Sequence, residues 1–364
     1  MYALKMTEDL MRIEEIDKNF KKIEHIEGDK AFYAIPHPSF ALHGVYYEEL
    51  NECFVRMPLE IAQKVNEGVY GLSKHTAGGR LCFATDSKSL KIEVAYQGLS
   101  IMSHMPLTGS SSFALLENTD KGERFIGNLM PTSADKTSFS AGLVLPGGCM
   151  KEYILYFPLY NDVKSLTVAL DKAAKVEPCN PYCDKKPILY YGSSITQGGC
   201  ANRTDKCYQA LICKKNRIDY INLGFSGSAR GEDAMVDYLT TLDCSLFVCD
   251  YDHNAPNAEH LKKTHLRLYQ RYREKRPDTP ILFISKPDFR RDKEGEERCK
   301  VIRNTYQYAK RKGDKNVYFL SGKTFFKQRD SADFTVDGCH PTDYGFQRMA
   351  EEIYKKMQMI NGLK

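Results

Sequence analysis

The sequence predicts an α/β protein in two parts: an antiparallel, jelly-roll-like β-sandwich, then a parallel sheet covered on both faces by helices. Three observations predict it. The 364 residues exceed what one hydrophobic core usually organises. The two halves differ in texture, with short alternating segments first and strands interleaved with amphipathic helices after them. Between them lies a proline-containing stretch, "VEPCNPYCDKKP" (176–187). The expected organisation is a sandwich over 1–178, a linker over 179–186 and an α/β domain over 187–364.

In the first half, "RLCFATDS" (80–87), "LKIEVAY" (90–96), "EYILYFPLY" (152–160) and "VKSLTVAL" (163–170) read as half-buried strands. Turn clusters such as "TAGG", "LTGSSS" and "LPGG" separate the segments. Many short strands without a long amphipathic helix indicate an antiparallel sandwich. "LEIAQKVN" (59–66) is its best helix candidate.

The second half opens with strand-like "ILYYG" (188–192), followed by "YINLGFSG", "LFVCDYD", "ILFISKP" and "VYFLSG". Helical stretches alternate with them: "CYQALICKK", "EDAMVDYLT", "AEHLKKTHLRLYQRYREKR", "RCKVIRNTYQYAKRK" and "DYGFQRMAEEIYKKMQMI". The last sets Phe346, Met349, Ala350, Ile353, Tyr354 and Met357 on one face. Such alternation predicts a parallel sheet with helices on both sides.

Composition narrows the function. The net charge of +5 is spread over 52 basic and 47 acidic side chains, with no basic stripe to track nucleic acid. Acidic residues interrupt the first twenty positions, so no signal peptide is read there, and no run reaches membrane-spanning length. Twelve cysteines without a secretory signal read as reduced thiols, which makes the cytoplasm the expected compartment. "CNPYC" (Cys179, Cys183) has a spacing seen in some zinc sites, but no matching second pair follows, and two free thiols in a linker are expected. No cofactor and no metal are expected, and an oligomer is allowed.

In open parallel sheets, ligands bind where the carboxyl ends of strands turn into helices. Those ends carry "GSSITQG" (192–198), "NLGFSGSA" (222–229), "DYDHNAP" (250–256) and, before the last helix, "DGCH" (337–340). A serine hydroxyl needs a base to take its proton, an imidazole can do so, and a carboxylate can hold that imidazole's tautomer. Ser194, His340 and Asp337 supply these groups. Each also has a plain reading. Ser194 could cap a helix, Asn254 could shape an Asx turn, Gly227 could serve a turn, Asp337 could pair with a basic side chain, and His340 could simply begin the final helix. His253 reads as a hydrogen-bonding rim residue. His104 reads as a local surface or packing residue unless the two parts pack together, and no role is assigned to Lys286.

The four blocks, in this order, resemble those of the SGNH (GDSL-type) hydrolase superfamily over about residues 186–360. The resemblance implies an SGNH-type three-layer α/β/α domain, with Ser194 rather than Ser193 as nucleophile and Asp337 and His340 completing a triad. It implies an oxyanion hole formed by the Ser194 and Gly227 N–H groups and the Asn254 amide. Ser193 stands where the family has aspartate, and "DYDHNAP" stands where Gly-x-Asn-Asp is usual. Members with a preceding β-sandwich often act on acylated carbohydrates. The expected function is therefore metal-independent removal of short acyl groups, acetyl above all, from a small-molecule or oligosaccharide ester. A lipid or thioester acylhydrolase, or a non-catalytic glycan-binding protein on this scaffold, are the alternatives.

Overall fold

The computed structural model describes residues 28–131, 137–287, 293–326, 331–360 and 363. The acidic N-terminal stretch lies outside the described residues. The first part runs β1 (Lys30–Ile35), β2 (Ala41–His43), β3 (Tyr46–Glu48), β4 (Cys53–Val55), α1 (Leu59–Val65), α2 (Glu67–Leu72), β5 (Arg80–Thr85) and β6 (Ser89–Ala95). It continues with α3 (Leu107–Ser110), β7 (Phe113–Thr119), β8 (Gly122–Leu129), β9 (Ser138–Val144), β10 (Lys151–Tyr156), β11 (Ser165–Asp171) and β12 (Val176–Pro178). Two antiparallel sheets result, one ordered β1-β11-β6-β9 and the other β12-β5-β10-β7-β8 with β2 on β5. Ile92, Leu166 and Val168 of the first face Leu81, Phe83, Leu115 and Tyr153 of the second across one apolar core.

The second part runs β13 (Ile188–Gly192), α4 (Ser194–Gln197), α5 (Tyr208–Asn216), β14 (Tyr220–Gly224), α6 (Asp233–Thr241) and β15 (Leu246–Asp250). After these come α7 (Ala258–Lys275), β16 (Ile281–Ile284), α8 (Lys293–Arg311), β17 (Val317–Leu320) and α9 (Asp343–Met357). The five strands are parallel and ordered β14-β13-β15-β16-β17. Alternate residues feed opposite faces: Tyr190 and Val248 pack with Phe346 and Ile353 of α9. Leu189, Tyr191 and Phe247 pack with residues of α6, α7 and α8 such as Leu239, Leu268 and Ile302. Strand order reverses at β13, which opens the crevice at the carboxyl ends where ligands bind in such sheets. No helix among the described residues is long and apolar enough to cross a membrane.

One expectation changes. β5 and β10 are not half-buried: four of the six residues of β10, and five of the six of β5, are fully buried. Their second face, Cys82, Ile154 and Tyr156, joins a core shared with Tyr190, Tyr208, Tyr220 and the last helix. That explains why "ILYF" is a continuous apolar run rather than an alternating one. The two parts therefore rest on shared apolar packing.

Two buried arginines from the first part fasten this junction. Arg56 donates through Nη1 to the carbonyls of Asn222 (3.0 Å) and Gly224 (2.8 Å) in β14. Its Nε and Nη2 reach His75 O (2.6 Å) and Leu72 O (2.7 Å) in its own part. Arg80 donates to Tyr220 O at 2.7 Å, pairs with Asp219 at 3.0 Å and lies over the Tyr220 ring. Arg56→Ala strips one donor from four carbonyls at once, so a loss of about 2–4 kcal/mol is expected. The lowered urea midpoint measures it, and an unchanged midpoint contradicts this role.

Candidate active site

β13 ends at Gly192, and the chain turns directly into α4. Ser193 caps that helix, its hydroxyl accepting from Ile195 N–H at 3.2 Å. Ser194 is the first helical residue, so cap and candidate nucleophile are separate serines. The turn sits close to the sheet: a Cβ on Gly224 would collide with the backbone of Thr196 and Gln197, so the second strand can pass α4 only as glycine. Asn222, buried beneath, donates to Thr196 O at 2.8 Å and accepts from Gly224 N–H at 2.9 Å.

The loop before α9 brings the remaining groups. Ser194 Oγ and His340 Nε2 are 2.8 Å apart, and His340 Nδ1 and Asp337 Oδ2 are 2.7 Å apart. Asp337 Oδ1 also accepts from the N–H groups of Cys339 (3.0 Å) and His340 (2.7 Å). The carboxylate thus folds its own loop while orienting the imidazole. Of the three, Ser194 is buried, His340 is partly buried and Asp337 is exposed.

The other sequence-read residues lie on the neighbouring strand-end loops. Gly227 follows β14 with φ of +68° and open space where a Cβ would stand. Gln197 Oε1 accepts from the adjacent Ser226 N–H at 3.0 Å, tying that loop to α4. Asn254 follows β15, beside His253, whose Nε2 lies 3.0 Å from Cys339 Sγ. Among the described residues, no partner is found for the N–H groups of Ser194 and Gly227, and the buried Asn254 Oδ1 is likewise unpartnered. Two backbone donors are thus unspent at these strand ends.

Burial divides the carboxyls. Asp250 is pushed well up by burial and then by Asp252, and it accepts from Thr196 Oγ1 at 3.3 Å. Asp252 is pushed up to about 6 by burial, with Lys286 N–H donating to it at 3.1 Å. These two support the rim from behind as protonatable groups. Burial acts on Asp337 in the same direction, but the donors from His340 and Cys339 outweigh it and hold the carboxyl at about 2.

Sequence reasoning missed Tyr160, which it placed in a strand. Tyr160 lies beyond the end of β10, and its hydroxyl donates to Ser194 O at 3.2 Å. His104, read as a local surface residue, has its ring centre 6.0 Å from that of His340. The packing of the two parts brings both to the site, and no local pattern announces that. Lys286 contributes through its backbone. Among the described residues no disulfide joins any of the cysteines, Cys179 and Cys183 included. Among the described residues, the metal-ligating atoms grouped most closely are those of Asp337, Cys339 and His340, within 4.8 Å of one another.

Fold and geometry define a class: a doubly wound α/β protein with a hydrogen-bonded serine, histidine and aspartate at its strand ends. Residues 185–358 match the GDSL-like lipase/acylhydrolase family, and residues 31–176 match the N-terminal region of SGNH-hydrolase-type esterases. Residues 185–358 thus carry a GDSL-like (SGNH-type) hydrolase domain, preceded by the region found at the N-terminus of SGNH-hydrolase-type esterases. The crystal structure of a Bacteroides ovatus protein described as a GDSL-like lipase is 25% identical, with TM-score 0.81, covering 92% of this chain and 98% of that one. A salicylyl-acyltransferase from a tetracycline biosynthetic pathway is 18% identical, with TM-score 0.76 and coverage of 91% and 97%. An acetyl xylan esterase from the rumen bacterium Butyrivibrio proteoclasticus is 13% identical, with TM-score 0.59 and coverage of 91% and 98%. No curated protein matches the chain in sequence.

Because Asp337 titrates below the ordinary value of about 3.9, its ionised form helps hold the loop above about pH 4, and that contribution is lost as pH falls towards 2. An NMR titration is expected to give an Asp337 midpoint near 2. A midpoint at the ordinary carboxylate value means that the three donors do not converge on it in solution.

Proposed function

We propose that the protein is a serine esterase that removes short acyl groups, acetyl above all, from a carbohydrate through an acyl-enzyme. The observation that supports this most directly is the Ser194–His340–Asp337 chain, with contacts of 2.8 Å and 2.7 Å. His340 Nε2 accepts the Ser194 proton as Oγ attacks the ester carbonyl, and Asp337 stabilises the resulting imidazolium. The tetrahedral oxyanion is held by the Ser194 and Gly227 N–H groups and the Asn254 amide, donors typically worth about 3–4 kcal/mol each. His340 returns the proton to the leaving alcohol. Water then attacks the acyl-serine with His340 again as base, and the acid leaves. The cycle uses protein groups alone and requires no metal.

The carbohydrate reading draws on two supports. The solved structures sharing this two-part fold include family two carbohydrate esterases, one in complex with cellohexaose. The site is also rimmed by the first part of the chain, through His104 and Tyr160. A wall of that kind can contact the part of a polar substrate remote from its ester, where binding energy contributes to turnover.

Ser194→Ala is expected to abolish turnover of an aryl acetate and labelling by a fluorophosphonate. Ser193→Ala is expected to keep a substantial fraction of activity and to lose about 1 kcal/mol of stability with its helix cap. Labelling that maps to Ser193, or normal rates without the Ser194 hydroxyl, rules out this assignment. His104→Ala is expected to lower kcat/KM on an acetylated oligosaccharide more than on an aryl acetate. Equal losses on the two substrates count against a glycan-contacting wall.

A further inference from the structure

We infer that Cys339, His253, Asp337 and Nδ1 of His340 form a site for a thiophilic divalent cation such as Zn2+, and that filling it disables His340. Nothing in the acyl-transfer reading uses Cys339, although it sits inside the loop that carries Asp337 and His340. Its Sγ lies 3.0 Å from His253 Nε2, across from the loop after β15. The ligating atoms of Asp337, Cys339 and His340 lie within 4.8 Å of one another. A tetrahedral zinc ion with bonds of about 2.0–2.3 Å needs its ligand atoms about 3–4 Å apart, so small adjustments draw those three together, while His253, beside Cys339 but outside that group, completes the set by turning inward. Thiolate, imidazole and carboxylate are the ligands this ion takes. The loop is open to arriving ions, since Asp337 is exposed and the other three side chains are partly so.

The chemistry balances without a redox step. Cys339 releases its thiol proton to water as sulfur binds the ion. The ion takes the place of the proton between His340 Nδ1 and Asp337, and that proton moves to Nε2. Thiolate and carboxylate together neutralise the 2+ charge. With Nε2 protonated, His340 donates to Ser194 Oγ and can no longer accept its proton. The ion therefore acts as a reversible inhibitor and not as a cofactor. Binding is independent of the proposed esterase function, while its effect on turnover rests on that reading.

The test uses the full chain and Co2+ as a probe. The wild type is expected to develop a near-ultraviolet thiolate-to-cobalt band that Zn2+ abolishes. Cys339→Ser should lack it, and His253→Gln should weaken it. In parallel, Zn2+ should inhibit aryl acetate turnover and a chelator should restore it. Cys339→Ser, with metal-free turnover near that of the wild type, should need at least about tenfold more Zn2+, the lower end of what loss of even an outer-shell partner costs. Absence of a thiolate band in the wild type, the same band in Cys339→Ser, or equal Zn2+ sensitivity of the two proteins overturns the proposal. Should the protein hydrolyse no ester, the band and its loss in Cys339→Ser still decide the site, so the two readings fail separately.

Discussion

The guanidinium of Arg56 is the point on which both parts of the molecule bear. Its planar fork of donors suits several acceptors at once, and it spends them on four backbone carbonyls, two in each part. Those of Asn222 and Gly224 stand at the carboxyl end of β14, beside the turn that carries Ser194. A polar group buried without a partner is costly, so this strand end can be covered only by something that donates. Covering it brings α1 and α2 against the α/β part, and with them the shared core that reaches from Ile154 to Phe346. The sandwich is thus structurally part of the α/β half.

The site inherits its order from that seating. Ser194 is held from three directions: Ser193 caps its helix, Gly224 lets the helix approach the sheet, and Tyr160 holds its carbonyl. Electrostatics then divides the neighbouring carboxyls by environment. Asp250 and Asp252 lie behind the rim, where burial favours their neutral forms. Asp337 stands at the surface and collects donors from its own loop, which favours its charge. Only the ionised one faces the imidazole. Environment, and not residue type, sorts such groups into roles.

Much of this was legible in the sequence, for definable reasons. The alternation of strands and helices in the second half follows from periodicity, which is a local property. The assignments of α9 and of the five parallel strands needed nothing else. Ser194, Asp337 and His340 were legible because each lies at a strand end or before a helix, where the chain order of an open α/β sheet brings polar residues together. The separation of Ser193 from Ser194 followed from a family resemblance and not from any physical rule, since both serines suit a turn.

What only the tertiary structure decided lies at the junction of the two parts. A buried arginine looks like any other basic residue in a sequence, and Arg56 and Arg80 gave no sign of being core residues. β5 and β10 read as half-buried because periodicity cannot say that a second part will cover the outer face. Tyr160 and His104 reach Ser194 and His340 only because segments distant in the chain are pressed together. Local pattern determined the elements and the candidate chemistry. Which polar groups end up neutral, charged or unspent was decided by long-range packing, because burial and partnership are properties of the whole fold.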